Sequence, residues 1–306
     1  MDAISQAINE TISAMPLINY RLNESMKKHS SFKIGGNARA LFLPNNTEEL
    51  RAICSNFKRC DVAPLIIGNG TNLLFNDSPM NIVVIKTTLL DGITLTDGRQ
   101  ITAQSGVALS KLAVFACDNN LTGLEFAHGI PGTLGGAITM NAGAYDGEMK
   151  DCVRSTTVYS HNDSIIDIEG EQHDFSYRHS RFSYSNEIVL SSTIVLDEND
   201  PAIIRKKMEE YSTRRRNSQP LDLPSAGSVF KRPEAGKGYA AQLIEQAQLK
   251  GFTKGGAQVS TKHSGFIVNL GDAAFSDVIA VIDYVRETVF RKFEVELEPE
   301  IKIIRG

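Results

Sequence analysis

Glycine is concentrated in one short segment, residues 129–143, where five of fifteen residues are glycine. Glycine loses more conformational freedom on folding than any other residue, so such a segment costs stability. Two arrangements can compensate for this cost: a large flat ligand approached by the backbone, or two strands packed closely together. The segment predicts one of these two arrangements, and the glycines alone leave both open.

A second glycine loop, Gly68-Asn69-Gly70-Thr71-Asn72, follows an apolar run at 63–67 that predicts a strand. Adjacent glycines let backbone N–H groups converge on an anion. The dinucleotide-binding fingerprint requires a third glycine at position 73, where this chain has Leu73, and no Gly-Lys-Ser/Thr sequence of a phosphate-binding loop follows. The loop is therefore either an anion site of another kind or a simple tight turn.

The bulk composition excludes several classes of protein. With 306 residues, 42% hydrophobic and 22% charged, the chain suits a globular protein of two or three domains. Its net charge of -4 does not support nucleic-acid binding. The N-terminus lacks a signal-peptide pattern and no apolar run reaches the roughly 18 residues of a membrane span. We expect a cytoplasmic protein with no membrane partner, no bound metal, and four reduced, mostly buried cysteines: Cys54, Cys60, Cys117 and Cys152.

The apolar patterns predict a mixed α+β chain. We expect strands at 63–67, 82–86, 153–159, 188–196, 256–259, 265–270 and 295–304. We expect helices from an N-cap at Ser110 to 119, at 201–216, at 239–249 closed by Gly251, and at 276–293. A boundary near residue 200 would separate domains 1–200, with a core at about 31–198, and 201–306.

Three segments together resemble a known family: Phe32 to Gly36, Gly68 to Leu74, and Gly129 to Tyr145. They are similar to the FAD-binding domain of UDP-N-acetylenolpyruvoylglucosamine reductases, which has the vanillyl-alcohol-oxidase-like (PCMH-type) fold in two lobes. The resemblance implies this fold followed by an α+β substrate domain, with non-covalent FAD and with NADPH as electron donor. By position it assigns FAD contacts to Gly68, Asn69, Gly70, Thr71, Asn72, Leu73, Gly129, Ile130, Pro131, Gly132, Thr133, Gly135, Gly136, Ala137, Asn141, Ala142 and Gly143.

Three further segments resemble the catalytic motifs of the same family. Ser176-Tyr177-Arg178-His179-Ser180-Arg181-Phe182 places the catalytic arginine at Arg178. Ala226-Gly227-Ser228-Val229-Phe230-Lys231 places the proton-donating serine at Ser228. Leu297-Glu298-Pro299-Glu300-Ile301 places the catalytic glutamate at Glu300, with Glu298 as the competitor because both share one face of an alternating run.

Candidate substrate contacts follow from charge and from resemblance. Lys231 and Arg232 suit a pyrophosphate or carboxylate, and Gln258 and His263 lie in a segment similar to the family's. Only 49 residues, 179–227, separate Arg178 from Ser228, which is too few for the loop that lays a tyrosine over the substrate in some members. The chain is therefore similar to the shorter type of the family, and the residue that replaces this tyrosine stays open.

The resemblance implies reduction of UDP-N-acetylglucosamine enolpyruvate to UDP-N-acetylmuramate by a monomer, with NADPH and the sugar nucleotide using one pocket in turn. Two other interpretations stay open at this stage. One is an FAD-dependent hydroxy-acid oxidase or dehydrogenase of the same fold, which would need a base above the flavin rather than a serine acid. The other is a non-catalytic nucleotide-binding protein that uses only the glycine loops.

Overall fold

The structure is a computed structural model that describes residues 2–234 and 236–306. These residues form two compact units, and each unit is assembled from separate stretches of sequence. The first contains the described residues up to Leu22, Arg39–Asn69 and Ile82–Arg214. The second contains Asn23–Ala38, Gly70–Asn81 and Arg215–Gly306.

Runs of short strands along the described chain are separated by α-helices. The α-helices are α1 (Ala3–Ala14), α2 (Thr47–Arg59), α3 (Leu109–Asp118), α4 (Leu134–Thr139), α5 (Pro201–Ser218), α6 (Ala240–Gln246) and α7 (Phe275–Phe293). The strands are β1 (Tyr20–Ser25), β2 (Asn37–Phe42), β3 (Leu65–Ile67), β4 (Leu73–Phe75), β5 (Met80–Lys86), β6 (Ile93–Asp97), β7 (Gln100–Gln104), β8 (Leu121–Thr122), β9 (Gly143–Ala144), β10 (Gly147–Glu148), β11 (Val153–Tyr159), β12 (Ile165–Glu169), β13 (Ile188–Val195), β14 (Asp197–Glu198), β15 (Ser225–Ser228), β16 (Thr253–Lys254), β17 (Ala257–Val259), β18 (Phe266–Asn269) and β19 (Lys302–Ile304).

The first unit has two apolar cores, which correspond to two lobes. One core joins α1 and α2 to a sheet of order β1-β2-β5-β3, in which β3 and β5 are parallel. Helix α2 is well specified locally, because the Asn46 side chain accepts a hydrogen bond from Glu49 N at 2.8 Å and Lys58 and Arg59 occupy its last turn. The other core joins α3 and α4 to an antiparallel sheet of order β12-β11-β13-β7-β6.

The second unit has a core of its own. Its antiparallel sheet has the order β15-β18-β17-β16, and β19 pairs with β4 in parallel. Helix α7 buries the apolar stripe that its sequence predicts, with Val278, Ile282, Val285 and Val289 all at most 2% exposed. This core lies behind the strand that ends at Ser228.

Most predicted elements are confirmed, with ends that lie within about two residues of the prediction. Three of them begin or end in a way that the sequence did not predict. Helix α3 begins at Leu109 with Ala108 in the cap position, so Ser110 is not the N-cap. Helix α6 ends at Gln246, and Gln248 adopts the left-handed conformation that follows the helix, at a φ of 62°. Gly251, predicted to close the helix, also has a positive φ, of 79°, but lies further along the chain. The strand predicted at 295–304 is limited to β19. The chain before β19 forms only an isolated bridge with Val229–Lys231, centred on Pro299, which has no N–H to donate.

The two compact units do not coincide with the two predicted domains. The main change of unit falls between Arg214 and Arg215, near the end of α5, and two earlier segments also belong to the second unit. The division into domains 1–200 and 201–306 stays a prediction. Within the described residues no helix combines the length and the apolar character that crossing a bilayer requires.

A buried histidine predicts how the stability of the first unit depends on pH. His173 is 1% exposed, its Nδ1 lies 3.0 Å from Gly170 O, its Nε2 lies 2.9 Å from Thr156 Oγ1, and its ring stacks on Phe175. Burial lowers the pKa of His173 from its ordinary value of 6.5. The unfolded chain therefore protonates His173 at a higher pH than the folded chain does. As a result, the free energy of unfolding decreases as the pH falls below 6.5.

Urea denaturation at pH 7.5 and pH 5.5 tests this dependence. We expect His173→Gln, which cannot take up the proton, to lose less of its free energy of unfolding between the two conditions than the unaltered protein loses. Equal losses in the two proteins would contradict this role for His173.

Candidate functional site

Two glycine loops meet inside the first unit. The Asn69 side chain donates from Nδ2 to Pro131 O at 3.1 Å. A Cβ atom added to Gly68 would collide with the Thr133 hydroxyl, so glycine is required there to let the two loops approach. At Gly68 the close-packing explanation of the glycines is therefore sufficient.

Gly135 and Gly136 differ in what surrounds them. Gly135 packs on the strand end, donating its N–H to Ser105 O at 2.8 Å, and an added Cβ would lie 2.9 Å from Ser105 Cβ. Gly136 is exposed, and a Cβ there would meet only Thr133 Oγ1, at 3.7 Å. Packing within this unit thus accounts for Gly135 and does not account for Gly136.

These residues fit a flavin nucleotide approached by backbone. Gly136 faces open space, and the Thr133 hydroxyl beside it is buried without a hydrogen-bond partner among the residues that the structure describes. A polar group that loses its water without gaining a partner costs free energy, which a small adjustment toward a bound polar ligand would recover. The Gly129–Gly143 segment therefore offers a bare backbone surface and a polar group for a large ligand.

The remaining residues of the Gly68 loop lie in the second unit. Gly70 has a φ of 65°, and an added Cβ would collide with His29 O. Asn72 contacts the C-terminal segment at two points: its Nδ2 donates to Glu300 O at 3.2 Å, and its carbonyl accepts from Lys302 N at 2.9 Å. Leu73 pairs with Lys302 in the parallel β4–β19 ladder. In this structure Asn72 and Leu73 thus position the segment that carries Glu300.

Arg178 occupies a strained turn in the first unit. Ser176 and His179 exchange two backbone hydrogen bonds, which leaves Tyr177 and Arg178 as the two residues of the turn. Arg178 has a φ of 54°, a left-handed conformation that costs a residue with a Cβ about 1–2 kcal/mol. Its Nη2 donates to Gly143 O at 3.0 Å, so the glycine segment helps to aim the guanidinium. Strain of this kind concentrates at functional sites, where the surrounding structure over-determines the conformation.

Ser228 and Glu300 are close in the backbone of the second unit. Glu300 N donates to the carbonyl of Val229, the residue after Ser228, at 2.7 Å, and the Ser228 side chain is exposed at the end of β15. The competitor Glu298 has another role, because its carboxylate lies 2.6 Å from Lys231 Nζ in a partly exposed ion pair. The structure thus brings Ser228 and Glu300 together and pairs Glu298 with Lys231.

The substrate candidates of the second unit have different surroundings. His263 Nδ1 accepts from Gly265 N at 3.1 Å, which assigns the proton of the neutral ring to Nε2, and burial lowers the pKa of the ring and so favours this neutral form. A Cβ added to Gly265 would lie 3.2 Å from His263 Nδ1 and 3.3 Å from Ser228 Oγ, which places both side chains around one glycine. The Arg232 guanidinium stacks 4.6 Å from the Tyr239 ring, and Gln258 Nε2 donates to Thr253 Oγ1.

The sequence does not predict one aromatic cluster of the first unit. The Tyr145 ring stacks on Tyr211 at 4.4 Å, and the Arg214 guanidinium lies 4.9 Å from the centre of the Tyr145 ring. Tyr145 adjoins the glycine segment, whereas Tyr211 and Arg214 are on α5. A contact between residues 66 positions apart leaves no periodic signal in the sequence, so only the fold reveals it.

Comparison with known proteins gives consistent results for both halves of the chain. The family model described as "FAD binding domain" matches residues 38–169. The model of the C-terminal domain of UDP-N-acetylenolpyruvoylglucosamine reductase matches residues 219–304.

Relatives match over nearly the full length. The chain is 48% identical over 283 residues to the UDP-N-acetylenolpyruvoylglucosamine reductase of Caldanaerobacter subterraneus subsp. tengcongensis, covering 92% of this chain and 93% of the relative. It is 42% identical over 305 residues to that of Clostridium tetani, covering 99% and 98%.

Solved structures agree with the fold that the resemblance implies. The reductase crystal structure from Thermus caldophilus has a TM-score of 0.78 at 30% identity and covers 94% of this chain and 98% of that chain. A glucooligosaccharide oxidase from Acremonium strictum, at 12% identity and a TM-score of 0.51, covers 97% of this chain and 60% of that chain and shows likeness of fold alone. The predicted PCMH-type FAD-binding fold with a C-terminal substrate domain is confirmed. On these matches, the chain belongs to the UDP-N-acetylenolpyruvoylglucosamine reductase family.

Proposed function

We propose that this chain is an FAD-dependent oxidoreductase that uses NADPH to reduce UDP-N-acetylglucosamine enolpyruvate to UDP-N-acetylmuramate. The single observation that carries the residue assignment is the backbone pairing of Glu300 with Val229, which sets Glu300 beside the exposed Ser228 in a member of this family. The reaction supplies a precursor of peptidoglycan. We expect a monomer that acts in the cytoplasm.

The glycine segment, residues 129–143, is the proposed binding site of non-covalent FAD. FAD, when bound, supplies hydride transfer from NADPH to the terminal carbon of the enolpyruvyl group. The protein contributes a backbone surface without side chains at Gly136 and the buried hydroxyl of Thr133. No His or Cys of the chain occupies a known covalent attachment context, and three of the four cysteines are buried.

Arg178 is the proposed binding group for the substrate carboxylate. When a hydride adds to the terminal carbon, negative charge develops on the neighbouring carbon and spreads onto its carboxylate. A guanidinium has a fixed charge and a planar fork, which match a carboxylate through two parallel hydrogen bonds. Because the Arg178 turn is already held by Gly143, little reorganisation is needed when this charge forms.

Ser228 is the proposed proton donor, with Glu300 beside it. The hydride and one proton together convert the enolpyruvyl ether to a lactyl ether, with the proton added at the carbon that bears the carboxylate. An exposed hydroxyl at the end of β15 can reach a ligand without any rearrangement of the core. A serine is a weak acid, so its loss of the proton requires a nearby cation, and Arg232 is the first candidate because Lys231 is paired with Glu298.

The cofactor assignment predicts that Gly136→Val abolishes FAD retention without unfolding the protein. A valine at this exposed position would enter the space proposed for the cofactor, and its Cβ would make only an ordinary contact, 3.7 Å from Thr133 Oγ1. Flavin absorbance per purified chain and the thermal midpoint of the FAD-free protein are the two measurements. Gly68→Ala is the contrasting variant, because its Cβ collides with Thr133 and should lower the midpoint. Full flavin content in Gly136→Val would contradict the assignment.

The role of Ser228 predicts a split between the two half-reactions. Reduction of the flavin by NADPH requires no proton at the substrate carbon, so Ser228→Ala should leave its rate nearly unchanged. Reoxidation by the enolpyruvyl substrate should slow by roughly a hundredfold or more, the usual contribution of a positioned general acid. Stopped-flow absorbance of the flavin measures both rates, and Ser225→Ala in the same strand is the control. Equal slowing of both halves would make Ser228 a structural turn residue and Glu300 the next candidate donor.

If NADPH and the sugar nucleotide occupy one pocket in turn, the initial-rate plots should be parallel. If NADPH must leave before the sugar nucleotide enters, double-reciprocal plots at several fixed concentrations of one substrate should share one slope, as in a ping-pong mechanism. Intersecting lines would mean that both substrates are bound together at separate sites.

A further inference from the structure

We infer that Asn141 is a positioning residue that acts through Arg178, and that it is not a ligand of the cofactor. This inference rests on the proposed function, because it concerns the group that binds the substrate carboxylate. Asn141 lies in the glycine segment, where resemblance alone suggests a cofactor contact.

The polar atoms of Asn141 are used within the protein. Its side chain is 0% exposed, and its Nδ2 donates both to Glu148 Oε2 and to Ser176 O, at 3.0 Å each. Its Oδ1 accepts from Lys150 N at 2.9 Å. An amide has two N–H donors, and both are occupied here. A ligand would have to displace one of these bonds, at the cost of a buried unpaired group.

One of these three bonds reaches the turn that carries Arg178, and the other two hold the segment 148–150. Ser176, which accepts from Asn141, is the first residue of that turn, and Glu148 ends the short β9–β10 hairpin. The hairpin begins at Gly143, whose carbonyl accepts from Arg178 Nη2. One amide therefore fixes both the base of the turn and the hairpin that holds its guanidinium.

The backbone of Asn141 supports the same assignment. Asn141 has a φ of 41°, in the left-handed region that asparagine tolerates better than most residues with a Cβ. Arg178 has no such tolerance, and its φ of 54° needs support from its surroundings. The Asn141 bond to Ser176 O supplies part of that support, and Ser180 and Ser183 add two more bonds, both to Thr139 O at 2.9 Å.

Asn141→Asp is the most informative variant. An aspartate has almost the same shape and keeps the acceptor for Lys150 N, but it replaces both donors with an oxygen that faces Glu148 and Ser176 O. The turn should shift, and small misplacement of a reacting group can cost up to about a hundredfold in rate. We expect flavin reoxidation by the enolpyruvyl substrate to slow at least tenfold. The FAD dissociation constant and the rate of flavin reduction by NADPH should stay within about twofold.

A double-mutant cycle tests whether Asn141 acts through Arg178. In an Arg178→Ala background, Asn141→Asp should slow reoxidation by less than about twofold further, because the group that it positions is already gone. If the two effects multiply instead, Asn141 acts independently of Arg178. If the FAD dissociation constant rises or both half-reactions slow equally, Asn141 is a cofactor ligand or a general structural residue, and the inference is overturned.

A second variant keeps the test decisive should Asn141→Asp fail to fold. Glu148→Ala removes one acceptor of Asn141 at a partly exposed side chain, and it should slow reoxidation selectively, to a smaller extent. Lys150→Ala, which removes the ion pair to Glu148 but leaves the Asn141 bonds, should not alter reoxidation. Equal effects of these two variants would also overturn the inference. Failure of the proposed function would look different, because the unaltered enzyme would then show no reoxidation by the enolpyruvyl substrate.

Discussion

The hydrogen bonds between residues 139–143 and the Arg178 turn are the constraint on which the proposed chemistry depends. Arg178 has a left-handed backbone that its own side chain disfavours, so contacts from elsewhere must hold it there. Asn141 bonds to Ser176 O at the base of the turn, and Gly143 O accepts from the guanidinium. The same stretch of chain exposes the bare Gly136 backbone proposed to receive the flavin. On this proposal one segment serves two purposes, because Gly136 receives the flavin while Asn141 and Gly143 hold the Arg178 turn.

In the second unit, hydrogen bonds to the backbone position Glu300. Glu300 is bound from one side through its N–H to Val229 O, and from the other by Asn72 Nδ2, which donates to its carbonyl. Both of these bonds involve backbone atoms of Glu300. The neighbouring Lys231–Glu298 ion pair is partly exposed and contributes little to stability, since pairs at the surface are worth about 0–1 kcal/mol. The segment around Pro299 is therefore positioned by backbone hydrogen bonds rather than by the ion pair.

The sequence was sufficient for the regular elements and for the family, and insufficient for the contacts that aim the side chains. Helix α7 could be predicted because its apolar residues recur at spacings of three and four. The motif around Arg178 identified the residue, but no pattern indicates that its φ is positive or that Gly143 holds its guanidinium. Asn141 illustrates the limit: its place among glycines suggested a cofactor contact, whereas its partners lie 7 and 35 residues along the chain. Contacts at such separations follow from the fold and leave no local signal.

A crystal structure of the protein with FAD and UDP-N-acetylglucosamine enolpyruvate would test the central claim, that Arg178 is held ready to bind the substrate carboxylate. The account predicts two of the three guanidinium nitrogens at about 3 Å from the carboxylate oxygens. It also predicts a positive φ at Arg178 and an intact bond from its turn to Asn141. A carboxylate bound by other cations, with the Arg178 turn relaxed to a negative φ, would contradict the account.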